Sequence, residues 1–140
     1  ATCPWAVTWD DHEVQNDYAA DAGRGEAAGS AAFLAQRSAA WQAFYENMPL
    51  DLEALPTGPD ADITSGFDVG TLARFSLLDS RQFRDPEPAD AQEQNREQRT
   101  ILGAQQESWL EGRLSQSTAT WDVLAALEEL DLPEGMAGAV

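Results

Sequence analysis

The stretch Trp5-Ala6-Val7-Thr8-Trp9-Asp10-Asp11-His12-Glu13 joins an apolar, β-rich run directly to four ionisable side chains. The run Trp5–Trp9 predicts an interior strand, buried on both faces and ending at Asp10. Open α/β sheets bind their ligands at the carboxyl ends of strands. A polar cluster at this point therefore favours an α/β fold with a site at the edge of the sheet.

The cluster Asp10–Glu13 contains residue types that can carry chemistry. Carboxylates are hard oxygen ligands for divalent or trivalent cations, and a neighbouring imidazole can bind a metal or donate to a ligand oxygen. Consecutive strand positions face opposite ways, so all four side chains cannot serve one metal, whereas a sharp turn would bring Asp11 and His12 to one cleft. Taken alone, the tetrapeptide fits a generic solvated turn equally well.

A helical pattern follows at Ala31–Asn47, where apolar and aromatic side chains recur at three- and four-residue steps. Ser30 is the expected N-cap, and Pro49 is expected to end the helix. The aromatic stripe on this helix is expected to pack at least partly inward; it consists of Phe33, Trp41, Phe44 and Tyr45.

The second half of the chain alternates β and helical patterns. Ile63–Val69 and Leu72–Leu78 flank Gly70-Thr71 and predict a hairpin. A helix is expected at Ala104–Ser115, and Trp121–Ala125 is expected to form a further buried strand. The fold class predicted from this alternation is α/β, with a mixed sheet that contains at least one hairpin.

Charge excludes several classes of function. The 140 residues include 25 acidic and 8 basic side chains, every basic one is Arg, and the net charge is −17. Such a field repels nucleic-acid phosphates and anionic lipid, so we expect neither a nucleic-acid-binding surface nor docking on an anionic membrane. Cations would be attracted, but an acidic solubility surface is the simpler explanation of the charge, and excess acid alone does not make a metal site.

Cysteine, histidine and hydropathy patterns add further limits. One cysteine, Cys3, and one histidine allow neither an internal disulfide nor a Cys/His zinc site. No apolar run approaches the roughly 18 residues of a membrane-spanning helix, and the first residues do not read as a signal peptide.

Five motif blocks occur in order between about residues 4 and 125. They are WDDHEV with NDYA at 9–19, AFLAQR with WQAFYENMPL at 32–50, FSLLDSRQFRD at 75–85, RTILGAQQESWL at 99–110 and TWDVLA at 120–125. Together they resemble the PhoD-like alkaline phosphatases and phosphodiesterases, whose motifs include WDDHE-V-x-N-x-Y/W, Y-E-x-M-P-L and F-x-x-L-D-x-R-x-Y/F-R-D. The resemblance covers nearly the whole chain.

The resemblance implies a fold and an activity. It implies part of a four-layer α/β/β/α sandwich of the calcineurin-like metallophosphoesterases. It also implies an enzyme of a generally exported class that uses calcium and iron to cleave phosphomonoesters or phosphodiesters, including phospholipid head groups. Asp11 would be a metal ligand, Asp10 a further candidate ligand, and His12 the catalytic residue that stabilises the phosphoryl group or assists the leaving group. Asp79 and Arg81 would form a structural ion pair that braces a turn, although an Arg could also bind phosphate.

The chain also departs from the family pattern. An upstream Gly-Asp-Tyr type motif and a downstream Gly-Asp-x-His type motif, which supply further metal ligands, are absent, and Cys3 does not match the family's metal-binding cysteine. Residues 1–125 are thus expected to be a central segment that is completed by the remainder of a phosphatase chain, with residues 126–140 a helical or frayed tail. Two hypotheses remain: a phosphoester hydrolase segment that is inactive in isolation, or a non-catalytic acidic scaffold that binds cations or a partner.

Overall fold

Three strands and two long helices organise residues 5–126, which are the residues that the computed structural model describes. In chain order the elements are α1 (Ala31–Asn47), a 3-10 turn (Leu52–Ala54), β1 (Ser65–Val69), β2 (Ala73–Leu77), the single-turn α2 (Ala91–Gln94), α3 (Gly103–Ser115) and β3 (Trp121–Ala125). The predicted tail at 126–140 lies outside the described residues apart from Ala126.

The sheet is mixed, as predicted. β2 lies in the centre, antiparallel to β1 and parallel to β3. The hairpin turns where Gly70 adopts a φ of 55°, and the Leu72 amide donates to the Val69 carbonyl at 3.0 Å. Glycine suits this position because a left-handed φ costs it no steric strain. The α/β class and the predicted hairpin are confirmed.

Helix α1 begins and ends where the sequence predicts. Ser30 is the N-cap residue, although its side chain makes no capping hydrogen bond, and the helix ends before Pro49. Its buried side chains, Phe33, Arg37, Trp41 and Phe44, pack into the larger of two cores, which also contains Trp9, Val14, Tyr18 and Ile63. Tyr45 packs against this core from its partly buried position. The inward aromatic stripe is confirmed.

Helix α3 contributes Leu110 to the second core cluster, where it packs with Leu78 and Leu102. Gln106 ties this helix to the chain after β2, because its amide donates to the Asp79 carbonyl at 2.8 Å and accepts from the Asp79 amide at 2.8 Å. Both backbone groups of Asp79 are therefore satisfied in a buried setting. This contact places the segment that follows β2 firmly against α3.

The predicted interior strand at Trp5–Trp9 is wrong. This segment forms no strand, and Trp5 is largely exposed. Residues 5–9 instead run beside the sheet, held by the buried Trp9 ring and by Thr8, whose Oγ1 donates to the Leu78 carbonyl at 2.8 Å.

Strand β3 forms as predicted, but it is not buried. Trp121 and Val123 keep much of their surface exposed, because α3 packs on the opposite face of the sheet, which carries Leu124 and Ser76. The described helices include none that is long and apolar enough to cross a membrane.

Candidate active site

A tight turn presents the acidic cluster between two buried apolar residues, Trp9 and Val14. The Asp11 carbonyl accepts from the amides of Val14 at 2.9 Å and Gln15 at 2.7 Å. The Glu13 carboxylate closes the turn by accepting from the Asp10 amide at 2.8 Å. The turn is therefore held by its own backbone and by Glu13, which leaves the side chains of Asp10, Asp11 and His12 to face other groups.

Asp11 is the buried member of the cluster. One carboxylate oxygen contacts Nδ1 of His12 at 2.8 Å, and the other accepts from the Asp17 amide at 2.7 Å. Burial would raise the pKa of Asp11, but the Asp17 amide, the Arg81 guanidinium and the His12 ring together hold that pKa below its ordinary value. Asp11 is therefore a carboxylate at neutral pH.

His12 is the exposed member of the cluster, with 76% of its side-chain surface open to solvent. Because its Nδ1 contacts Asp11, the ring is oriented with Nε2 as the nitrogen available to a ligand. A carboxylate that receives a hydrogen bond from one ring nitrogen fixes the orientation and tautomer of an imidazole. The arrangement is thus suited to proton donation or to binding an anionic oxygen at Nε2.

Arg81 joins this turn to the segment after β2. Its Nε and Nη2 both lie 2.8 Å from Oδ1 of Asp10, and Nη2 lies 4.0 Å from Oδ2 of Asp11. Its backbone carbonyl accepts from the Ala20 amide at 3.0 Å. The three predicted site residues Asp10, Asp11 and His12 are thus brought together beside one largely buried guanidinium.

Asp79 and Arg81, the predicted ion pair, meet through the backbone amide of Arg81. The Asp79 carboxylate accepts from the backbone amides of Arg81 at 2.9 Å and Gln82 at 3.0 Å, and from the Gln82 side chain at 2.7 Å. A carboxylate that faces the amides two and three positions ahead closes an Asx-type turn. Asp79 therefore shapes the turn, while the Arg81 side chain leaves it and reaches Asp10.

Sequence reasoning missed the role of Asp17 and Tyr18. Asp17 adopts a φ of 56°, a left-handed conformation that aims its amide at Asp11. Tyr18 is fully buried, and burial followed by the nearby Asp79 carboxylate raises its pKa, so the phenol stays protonated. The Asn16-Asp17-Tyr18 block was the available sequence signal for these two residues, but a motif alone does not show that the Asp17 backbone amide is the group that contacts Asp11.

The described residues do not by themselves fit the metal centre that the family resemblance implies. Within residues 5–126, no group of three or more His, Cys, Asp or Glu side chains is arranged to hold a metal ion. Both oxygens of Asp11 already have partners, since Oδ1 contacts Nδ1 of His12 and Oδ2 accepts from the Asp17 amide, and Oδ1 of Asp10 faces Arg81. Asp10 and Asp11 could contribute to a metal site only alongside ligands from elsewhere.

Comparisons with known proteins agree on one family. A family model described as PhoD-like phosphatase matches residues 1–129. Alkaline phosphatase D of Bacillus subtilis strain 168 is 46% identical over 134 residues, which cover 89% of this chain and 22% of that protein. A solved structure of PhoD superposes with a TM-score of 0.82 at 45% identity, covering 86% of this chain and 24% of that one. The chain thus spans less than a quarter of the length of these relatives.

Proposed function

The chain belongs to the PhoD-like phosphatase family, and from that premise we propose that it forms the central segment of a metal-dependent phosphoester hydrolase. Residues 1–125 are the segment of the catalytic domain, and residues 126–140 are a tail. The substrates are phosphomonoesters or phosphodiesters. The parent enzyme is exported and has the four-layer α/β/β/α architecture, of which the described sheet and helices supply one part.

One observation carries this proposal: the exposed His12 ring is oriented by a buried, ionised Asp11 at 2.8 Å. In the proposed reaction His12 is the catalytic residue, and its Nε2 stabilises a phosphoryl oxygen or donates a proton to the leaving group. Arg81 and the Asp17 amide hold Asp11 in place, so that the imidazole does not have to be ordered during the reaction.

The metals belong to the proposal as well. Calcium and iron would polarise the phosphoester when bound, and Asp11, with Asp10 beside it, would supply carboxylate ligands. Because residues 5–126 contain no complete group of ligands, the remaining ones come from other segments of the parent enzyme. The isolated chain should therefore hydrolyse an aryl phosphate or a bis-aryl phosphate no faster than buffer, with or without added calcium and iron.

The test uses the full-length parent enzyme with substitutions in this segment. Asp11→Asn should lower kcat/KM by about a hundredfold or more, since it removes the charge that orients His12. His12→Ala should do the same, because a positioned acid typically contributes at least about a hundredfold. Glu13→Gln is the matched control: it keeps an oxygen acceptor for the Asp10 amide, and activity should stay within about threefold of the unmodified enzyme.

Two results would contradict the proposal. Full activity of Asp11→Asn and His12→Ala would remove both residues from the site. Metal-dependent turnover by the isolated chain, abolished by Asp11→Asn, would show that the segment is complete without other parts of an enzyme.

The second candidate is a non-catalytic acidic scaffold that binds cations or a partner. The net charge of −17 and the lack of a complete metal group among the described residues favour it. Titration calorimetry of the isolated chain with calcium separates the candidates. A saturable site that Asp11→Asn leaves unchanged would support the scaffold, whereas weak binding without saturation would favour the hydrolase segment.

A further inference from the structure

Asp17 occupies an uncommon backbone conformation beside the site. Its φ is 56°, in the left-handed region that residues with a Cβ seldom adopt, although aspartate tolerates it better than most. In this conformation the Asp17 amide donates to Oδ2 of Asp11 at 2.7 Å. Asp11 contacts Nδ1 of His12 through its other oxygen at 2.8 Å. The orientation of His12 therefore depends on a backbone conformation that other contacts must hold.

The Asp17 carboxylate has contacts that restrain this conformation. Its Oδ2 accepts from Nδ2 of Asn16 at 2.6 Å and lies 2.7 Å from Nη1 of Arg24. The contact with Asn16 is made between two consecutive residues, whereas the contact with Arg24 spans seven positions of the chain. Arg24 thus ties the Asp17 carboxylate to a second segment, the loop that leads to α1.

The loop that carries Arg24 is itself fixed to its surroundings. The amides and carbonyls of Ala19 and Ala22 bond to each other at 3.0 and 2.9 Å, which reverses the chain. Gly23 is buried, and a Cβ at this position would collide with the Gln15 side chain. Residue 24 is therefore brought back beside the segment that precedes the reversal, where its guanidinium meets the carboxylate.

The contact between Arg24 and Asp17 lies at the surface of the protein. The exposed fraction of the side chain is 67% for Arg24 and 37% for Asp17. A solvent-exposed ion pair contributes little to global stability, so its removal should leave the fold intact. The free-energy difference between left-handed and extended backbone at one residue is comparably small, so a contact of this strength can shift it.

We propose that Arg24 is a positioning residue for the reaction assigned to His12. Through the Asp17 carboxylate, Arg24 holds Asp17 in the left-handed conformation that keeps its amide on Asp11. Without Arg24, Asp17 relaxes toward an extended backbone, its amide turns away from Asp11, and the imidazole loses its fixed orientation. This inference rests on the proposed function, because it assigns a role in the reaction of His12.

Hydrogen exchange tests the first step of this inference without any turnover. In the 140-residue chain, exchange of the Asp17 amide is followed by nuclear magnetic resonance. The amide should exchange about fivefold faster in Arg24→Ala than in the unmodified chain, because it spends more time away from Asp11. Arg24→Lys keeps a cation near the carboxylate, and its exchange rate should stay within about twofold of the unmodified chain.

Arg99→Ala is the matched control for the loss of an arginine. Arg99 lies 3.9 Å from Glu93 and belongs to the loop between β2 and α3, away from Asp17 in the sequence. Its removal changes the net charge by the same amount as Arg24→Ala. The exchange rate of the Asp17 amide should therefore be unchanged in Arg99→Ala, within about twofold.

Substitutions of Asp17 test the second step in the full-length parent enzyme. Glycine adopts a positive φ without steric cost, so Asp17→Gly should keep kcat within about threefold, whereas Asp17→Ala should lower it about tenfold. Arg24→Ala should lower kcat about fivefold with KM within about twofold, and Arg24→Lys should restore most of the loss. In the Asp17→Gly background, Arg24→Ala should change kcat by less than about twofold, because no carboxylate remains for Arg24 to hold.

Three results would overturn the inference. Unchanged exchange of the Asp17 amide in Arg24→Ala would mean that other contacts hold the backbone. An equal loss of kcat from Arg24→Ala in both backgrounds, or a raised KM, would mean that Arg24 contacts the substrate itself. Equal activity of Asp17→Ala and Asp17→Gly would mean that the backbone conformation at this position does not matter. The exchange measurement needs no turnover, so full activity of His12→Ala would refute the proposed function, whereas unchanged exchange would refute this inference.

Discussion

Trp41 offers the sharpest test of how the fold supports the acidic turn. Its ring is fully buried and stacks on Trp9 with centroids 3.5 Å apart and planes 11° apart. Its Nε1 donates to the Pro59 carbonyl at 2.8 Å. Removal of a fully buried Trp side chain costs about 3–5 kcal/mol through lost transfer energy and the resulting cavity. Trp41→Ala should therefore lower the free energy of unfolding of the chain by about 4 kcal/mol.

Two further variants serve as comparisons for this loss of stability. Trp41→Phe keeps an aromatic ring against Trp9 but loses the hydrogen bond to Pro59, so the loss should fall to about 1–2 kcal/mol. Trp5→Ala, at a largely exposed position, should change stability by less than about 0.5 kcal/mol. Urea denaturation followed by far-UV circular dichroism measures all three without depending on tryptophan fluorescence.

The same variant reports on the site. Trp9 immediately precedes Asp10, so a loosened Trp9 ring should loosen the turn. The Asp17 amide, which donates to Asp11, should then exchange its hydrogen faster in Trp41→Ala than in Trp5→Ala. A stability loss below about 0.5 kcal/mol for Trp41→Ala would refute the reasoning, since it would place the ring at a surface.

Further predictions concern Arg81 beside the acidic turn, the buried Tyr18 hydroxyl and the close packing of Gly66 against β2. Arg81→Ala should lower the free energy of unfolding, measured by urea denaturation, by about 2 kcal/mol, because Asp10 and the buried Asp11 lose their cation. Arg81→Lys should recover only part of this loss. Equal stability of the unmodified chain and both variants would contradict this prediction. Tyr18→Phe should be neutral or stabilising by up to about 1 kcal/mol at pH 7, since the buried hydroxyl has no partner among the described residues. The raised pKa keeps the folded phenol protonated while the unfolded one ionises, so stability should fall from about pH 10 upward, less steeply in Tyr18→Phe. Gly66→Ala should destabilise by about 1–3 kcal/mol, because a Cβ there would lie 2.7 Å from the Phe75 carbonyl oxygen; an unchanged thermal midpoint would refute that contact.

Local patterns predicted most of the secondary structure. The three- and four-residue spacing of aromatic side chains located α1, and Pro49 located its end, because both signals depend only on neighbouring residues. The hairpin at Gly70 and the strand Trp121–Ala125 were recognisable for the same reason. The exposure of that strand was not recognisable, because the burial of its side chains depends on what packs on each face of the sheet.

The acidic turn shows what local sequence patterns cannot predict. The sequence by itself determined that Asp10, Asp11 and His12 are adjacent, and the motif blocks determined the family. Only the tertiary structure decided that Trp5–Trp9 is not a strand, since the buried Trp9 ring and the hydrogen bond from Thr8 to the Leu78 carbonyl hold this segment beside the sheet. Only the tertiary structure brought Arg81 to Asp10 across 71 positions. A contact of that separation is set by the hydrogen bonds that fix the chain after β2 to α3 and to Thr8, and no local pattern encodes it.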